Sequence, residues 1–169
     1  MSTTKKRKLR AILFADIVGY TALMQKDEAK ASELLQKFRH TLNEKVAQHS
    51  GEIINNYGDG CLCTFESAVD AMTCAKEVQF IFQTAPKVPV RIGLHSGDVF
   101  FEEDNVFGDS VNIASRIESL GVAGAVLFSK QIKRHIANQT EFKVQFLGCL
   151  LYSSPSPRDL STSRMPSSA

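Results

Sequence analysis

The sequence predicts an α+β domain: a ferredoxin-like core, in which a largely antiparallel sheet carries helices packed on one face. Three observations predict it. Short apolar runs of strand length alternate with longer segments whose apolar residues recur at helical spacing. Two pairs of strand-like runs are joined by tight turns, which makes them antiparallel neighbours. The resulting order, β-α-β-β-α-β-β-α-β-α-β, fits within 169 residues that are 43% hydrophobic and 22% charged, enough for one ordinary domain.

The first strand is the apolar run Ala11 to Ala15. Asp16 to Thr21 turn the chain into a helix with Thr21 as its N-cap, and Leu23, Ala31, Leu35, Phe38, Leu42 and Val46 draw one apolar stripe along it until Gly51 ends it. Glu52–Tyr57 and Gly60–Phe65 form a hairpin over a Gly58-Asp59 turn, which puts a carboxylate at the tip. Ser67 caps a second helix with Ala68, Met72, Ala75, Val78 and Phe82 on its inner face. Pro86 and Pro89 lead into the strand Val90 to His95, and Asp98 to Glu102 are expected to return against it as a second hairpin. Asp109 or Ser110 caps a third helix through Leu120, Ala125 to Phe128 is a strand, Ser129 caps a short helix, and Phe142 to Phe146 is the last strand.

Composition excludes several classes of protein. No run approaches the roughly 18 to 20 apolar residues of a membrane span, and no apolar h-region follows the N-terminus, so a cytoplasmic protein is expected. Cys61, Cys63, Cys74 and Cys149 lack the spacing of a disulfide scaffold or a zinc site and read as reduced thiols. Lys5, Lys6, Arg7, Lys8 and Arg10 put five positive charges before the first apolar run, and residues 1–8 are expected to be a basic, solvated leader; with no interleaved aromatic residue, nucleic acid is not the expected partner. The domain proper is expected over 9–148. From Cys149 the chain is rich in Ser and holds three of its five prolines, so residues 149–169 are expected to be a disordered, non-native tail.

Three segments carry candidate chemistry. Asp16 ends the first strand and Asp59 tips the hairpin; if those strands are neighbours, both carboxylates converge on one cation, and hard oxygen ligands suit Mg²⁺ or Mn²⁺. Val18, Gly19, Tyr20 and Thr21, between strand and helix, would offer backbone N–H groups to phosphate. Asn112 and Arg116 stand four apart on a helix and project from one face, a carboxamide for a ribose and a planar fork for phosphate oxygens. Singly, each has a plain alternative: Asp16 and Asp59 as turn residues, Asn112 and Arg116 as an exposed polar face. His95 reads as structural, Glu102, Glu103 and Asp104 as a solvated loop, and Lys130, Lys133 and Arg134 as an exposed helix face.

Taken together, these segments resemble the catalytic domain of the class III adenylyl/guanylyl cyclases. Phe14 to Thr21 resembles its first metal motif, Tyr57-Gly58-Asp59-Gly60 its hairpin motif, Arg91 to Gly97 its central strand, and Val106 to Arg116 its VWGDTVNxASR-like stretch, over roughly residues 9 to 148. The resemblance implies a nucleotide cyclase fold and a head-to-tail homodimer with active sites at the interface. It implies two Mg²⁺ or Mn²⁺ ions held by Asp16, Asp59 and the Ile17 carbonyl, with Asn112 and Arg116 reaching in from the partner chain. A nucleoside triphosphate, ATP first, would become its 3′,5′-cyclic monophosphate plus pyrophosphate for second-messenger signalling.

Two departures from the family pattern are legible. At the base-recognition positions stand Asn55 and Asn105 rather than the Lys/Asp of adenylyl or the Glu/Cys of guanylyl cyclases. A carboxamide has both donors and an acceptor, so GTP and pyrimidine triphosphates stay open as substrates, as does a degenerate, nucleotide-binding or regulatory module. The family also continues past Gly148 with a strand hairpin bearing a phosphate-contacting Lys; the tail stands there instead, so the domain is expected to be C-terminally truncated, lacking that ligand and part of its sheet.

Overall fold

The computed structural model describes residues 6–149 and 161–165; the remainder of the expected leader and tail lies outside the described residues. The strands are β1 (Lys6–Ile17), β2 (Glu52–Tyr57), β3 (Gly60–Phe65), β4 (Val90–Glu102), β5 (Asn105–Phe107), β6 (Val126–Ser129), β7 (Gln145–Cys149) and β8 (Ser161–Met165). The helices are α1 (Tyr20–Lys26), α2 (Glu28–Gln48), α3 (Ala68–Phe82), α4 (Asp109–Ser119) and α5 (Lys130–Ile136). The sheet runs β2-β3-β1-β4-β6-β8-β7, with β5 paired to β4 outside that path. All pairs are antiparallel except β4 with β6.

Alternation along β1 divides the core. Ala11, Leu13 and Ala15 face Leu34, Phe38, Leu42, Ala71, Met72, Ala75, Phe82 and Ile132 of α2, α3 and α5. Ile12 and Phe14 face the other way, onto Leu62, Val99, Val106 and Ala114. The helices therefore lie on both faces, a correction to the one-face expectation. What permits the second layer is β4. A Cβ on Gly93 would overlap the backbone nitrogen of Glu118, and one on Gly97 would overlap the Ser110 hydroxyl, so these two glycines clear the track along which α4 lies.

The long first helix is two helices. Gly19, in a left-handed conformation, replaces Thr21 as N-cap of α1, and Asp27 breaks the chain again, its carboxylate accepting from the Lys30 amide at 3.1 Å to start α2. Ser67 and Ser129 cap α3 and α5 as expected, while Gly108, not Asp109 or Ser110, stands at the N-cap of α4.

Residues 98–102 do not turn back; they continue β4, and 105–107 make the return strand. The distal half of β4 pairs with Lys6–Arg10, so residues 6–8 of the expected leader are strand. Its charges are accommodated at the surface: Arg7 pairs with Asp98, and Lys8 and Arg10 lie over the Phe101 ring at 5.7 and 5.6 Å. Residues 161–165, within the segment expected to lack order, add β8 between β6 and β7. Ladder bonds are made by the backbone, so a strand edge accepts a segment whatever its side chains.

Candidate active site

Asp16 lies opposite Gly60 in the β1–β3 ladder, so Asp59, one residue earlier at the hairpin tip, falls beside the end of β1. The Ile17 amide donates to the Asp59 carbonyl at 3.1 Å and fixes the two ends together. The turn is braced on both sides: Arg39 of α2 donates to the Gly58 carbonyl at 3.0 Å, and the Tyr57 ring packs on Phe14 with centroids 6.2 Å apart. Asp16, Ile17 and Asp59 are thus brought together.

Two carboxylates and a main-chain carbonyl are a hard-oxygen donor set that fits Mg²⁺ or Mn²⁺. Among the described residues no three His, Cys, Asp or Glu side chains gather to hold an ion, so such a site would depend on oxygens from water or substrate phosphate as well. In the segment expected to bind phosphate one expectation is corrected: the Val18 amide is engaged by the Pro89 carbonyl at 2.7 Å and is not available to a ligand. Gly19, Tyr20 and Thr21, at the start of α1, remain.

Two residues that sequence reasoning did not single out complete this corner. Arg91 stands directly across the β1–β4 ladder from Asp16 and forks onto it, Nη2 donating to Oδ2 at 2.7 Å and Nε to Oδ1 at 3.0 Å. Glu118, at the C-terminal end of α4, is buried, with Oε1 3.3 Å from Arg91 Nε. A legible signal existed for Glu118: it follows Ala114 by four residues and so lies on the inner stripe of α4. Arg91 belonged to a strand motif and was not read as a site residue.

The electrostatics follow from this packing. Burial works against the Asp16 carboxylate, but hydrogen bonds from Arg91 and Glu118 and the guanidinium charge outweigh it and hold its pKa below the ordinary value. Burial, a hydrogen bond shared with Asp16 and the Asp16 charge push Glu118 up to about 8, so at neutral pH it carries the proton of the pair. Burial also raises the Tyr57 phenol, which stays protonated.

Asn112 and Arg116 are exposed on α4. Arg116 is about 200° around the helix from Glu118 and Asn112 about 240°, at about 100° per residue. Both therefore point away from the side that meets Arg91 and Asp16. The structure joins Asp16, Ile17 and Asp59 within one chain and places Asn112 and Arg116 on a separate, outward face. Asn55 and Asn105 are both exposed, next to Ile54 and Val106, which pack in the same small cluster beneath α4; a bulge in β2 falls between Ile53 and Asn55.

The remaining polar groups are structural. His95 is buried, its Nδ1 2.7 Å from the hydroxyl of Ser129, the cap of α5. Cys61 and Cys63 lie side by side in β3 with sulfurs 3.4 Å apart. The hydrogen bond shared with Cys61 and burial raise Cys63, and burial lifts Cys74 to about 12, so Cys63 and Cys74 stay protonated.

Comparison with known proteins shows the family and the fold. Residues 3–150 match the family described as the adenylate and guanylate cyclase catalytic domain. A putative adenylate cyclase 3 of Rhizobium meliloti (strain 1021) is 37% identical over 144 residues, covering 80% of this chain and 24% of the relative. An adenylate cyclase of Streptomyces griseus is 32% identical over 130 residues, covering 73% of this chain and 33% of the relative. The chain thus spans about a quarter to a third of these relatives. Among solved structures, an adenylate/guanylate cyclase/hydrolase from Silicibacter pomeroyi superposes with a TM-score of 0.84 at 30% identity, covering 97% of this chain and 99% of that one.

The fold is that of the class III cyclases. The chain belongs to the adenylate/guanylate cyclase catalytic-domain family, and residues 3–150 are its nucleotide cyclase catalytic domain. No helix among the described residues is long and apolar enough to cross a membrane.

Proposed function

We propose that the protein is a homodimeric, divalent-cation-dependent nucleotide cyclase that converts a nucleoside triphosphate, ATP first, into its 3′,5′-cyclic monophosphate and pyrophosphate, in the cytoplasm and in the service of signalling. The convergence of Asp16 and Asp59, locked by the Ile17 amide on the Asp59 carbonyl, is the observation that carries this reading. Asp16, Asp59 and the Ile17 carbonyl would hold two Mg²⁺ or Mn²⁺ ions. Such ions would acidify the ribose 3′-hydroxyl and neutralise charge on the triphosphate.

The residues of the chain supply binding and orientation. The amides of Gly19, Tyr20 and Thr21 would receive phosphate oxygens. From the partner chain, Asn112 would hold the ribose so that its 3′-oxygen lies in line with the α-phosphorus, and Arg116 would stabilise the charge that grows on the phosphoryl oxygens. The new bond joins the 3′-oxygen to the α-phosphorus as the hydroxyl proton leaves to water, the bond to the bridging oxygen breaks, and pyrophosphate leaves. The outward aspect of Asn112 and Arg116 supports a head-to-tail dimer, and so do the exposed rings of Tyr57, Phe100 and Phe107, which a second copy would cover.

One observation favours a broader substrate range. Asn55 and Asn105, both amides, can satisfy adenine or guanine edges, so GTP and pyrimidine triphosphates compete with ATP as substrates. A regulatory, non-catalytic module is the remaining alternative. Incubation of the protein with ATP, GTP, CTP or UTP in the presence of Mn²⁺, with products identified by mass spectrometry, tests all of these: cyclic AMP supports the first, another cyclic nucleotide reassigns the base, and no cyclic product defeats catalysis.

A further inference from the structure

We propose that Arg39, exposed on α2, is a positioning residue for the ion site: its hold on the Gly58 carbonyl fixes the peptide that precedes Asp59 and so sets the direction of the Asp59 side chain. The inference rests on the proposed assignment of Asp16 and Asp59 as ion ligands.

Tyr57 and Gly60 face each other in the β2–β3 ladder, so Gly58 and Asp59 form a two-residue turn. Gly58 has φ +58°, whereas Ser50 and Glu103 are the described non-glycine residues with positive φ, so Asp59 keeps the ordinary sign. That is the pattern of a type II′ turn. The type I′ alternative needs positive φ at both positions, which glycine takes freely and Asp tolerates better than most residues. The two turns differ by a flip of the peptide between Gly58 and Asp59. Packing does not resist that flip, because even a Cβ added at Gly58 meets nothing within 4 Å.

Arg39 resists it. Its Nη2 donates to the Gly58 carbonyl, the oxygen of the peptide in question, at 3.0 Å. The next carbonyl along, that of Asp59, accepts from the Ile17 amide at 3.1 Å. The planar peptides on both sides of the Asp59 Cα are therefore held, one from α2 and one from β1, and the direction of the Cα–Cβ bond between them follows. The β1 bond is main-chain, so Arg39 is the side-chain half of the arrangement. Its base is firm: neighbouring Phe38 is fully buried and stacks on Phe82 of α3, with centroids 5.8 Å apart.

Two measurements on the full chain test the proposal. Without any ion, the residual dipolar coupling of the Asp59 N–H, which reports the orientation of that peptide, should change in Arg39→Ala while those of Tyr57 and Gly60 do not. Mn²⁺ binding without nucleotide, followed by the electron paramagnetic resonance of free Mn²⁺, should weaken about three- to tenfold in Arg39→Ala. Arg39→Lys keeps a charged donor and should stay within about twofold of the wild type. The sign discriminates, because removing a positive charge near a cation site tightens binding by Coulomb's law alone. Unchanged or tighter binding by Arg39→Ala overturns the proposal. So does an unchanged Asp59 coupling, or a loss in Arg39→Lys equal to that in Arg39→Ala. Folding is not at stake, since Arg39 is exposed on a helix and alanine is the better helix former. Asp59→Asn separates the underlying assignment: if it binds Mn²⁺ like the wild type, the ion site itself is wrong and the proposal falls with it, even where the couplings show that Arg39 holds the turn.

Discussion

The Ile17 amide donates to the Asp59 carbonyl, 3.1 Å away, and this single main-chain bond ties the end of the first strand to the tip of the β2–β3 hairpin. Because Asp16 precedes Ile17 and lies across from Gly60, the bond holds side by side two aspartates that are 43 residues apart in sequence. The proposed chemistry depends on that local geometry more than on any other feature of the fold.

Asp59→Ala should therefore lose cyclase turnover by about a hundredfold or more, the scale on which removal of a transition-state electrostatic group acts. The hairpin should survive, since its ladder is main-chain and Asp59 contributes its carbonyl, which alanine keeps. Turnover is read as cyclic nucleotide formed per unit time, and unchanged circular dichroism would show that the loss is chemical.

If Asn112 and Arg116 serve the partner's site, two inactive variants should rescue one another. Mixed in equal amounts, Asp59→Asn and Arg116→Ala give heterodimers in which one of the two sites is intact. About a quarter of wild-type activity is expected from random pairing in a twofold-symmetric dimer. An inactive mixture, with heterodimer confirmed by tagged co-purification, would place all four residues in one chain's site.

The two amides define a specificity test. Asn55→Lys combined with Asn105→Asp replaces ambivalent partners with fixed donor and acceptor, and should raise the ATP:GTP ratio of kcat/KM by about tenfold or more, the discrimination one or two buried hydrogen bonds provide. An unaltered ratio would mean that these positions do not meet the base.

Gly93→Ala tests the packing of α4. The added methyl would overlap the Glu118 backbone nitrogen, so helix and strand must separate, at about 1–3 kcal/mol of stability. Thermal unfolding should fall accordingly, whereas the same change at Gly58, where a Cβ meets nothing within 4 Å but φ is +58°, carries only backbone strain.

Glu118 predicts a pH effect whose sign follows from its raised pKa. A carboxyl that titrates near 8 in the fold and near 4.5 when unfolded binds more protons folded. Its contribution is complete below about pH 4.5 and is lost as pH rises through about 8. In EDTA, the melting temperature of the wild type should decline between pH 5 and 8 more steeply than that of Glu118→Gln. Asp16 and Glu77, both lowered, act in the opposite sense at the acid end, outside this window. Parallel profiles for the two proteins would contradict the assignment.

The elements whose pattern is local were legible in the sequence. Ala11 to Ala15 lies at the centre of β1, the Gly58-Asp59 turn is a hairpin, and Ser67 and Ser129 cap their helices, because each depends only on neighbours a few residues away. What was hidden depends on contacts distant in sequence. Lys6 to Arg10 look like a solvated leader until Asp98 and Phe101 are known to lie against them. Alpha-helical spacing placed Asn112 and Arg116 correctly on one face of α4, yet the side of the sheet on which α4 lies is decided by Gly93 and Gly97 in a different strand. The two residues behind Asp16 were missed for the same reason: Arg91 and Glu118 meet Asp16 only through contacts distant in sequence.

The most direct measurement is mass-spectrometric product analysis after incubating wild-type protein and Asp16→Asn, each with the four nucleoside triphosphates and Mn²⁺. The account predicts a 3′,5′-cyclic nucleotide and pyrophosphate in equal amounts from the wild type, and neither from the variant. Wild-type protein that binds nucleotide but releases no cyclic product from any of the four, or a variant that matches the wild type, would contradict it.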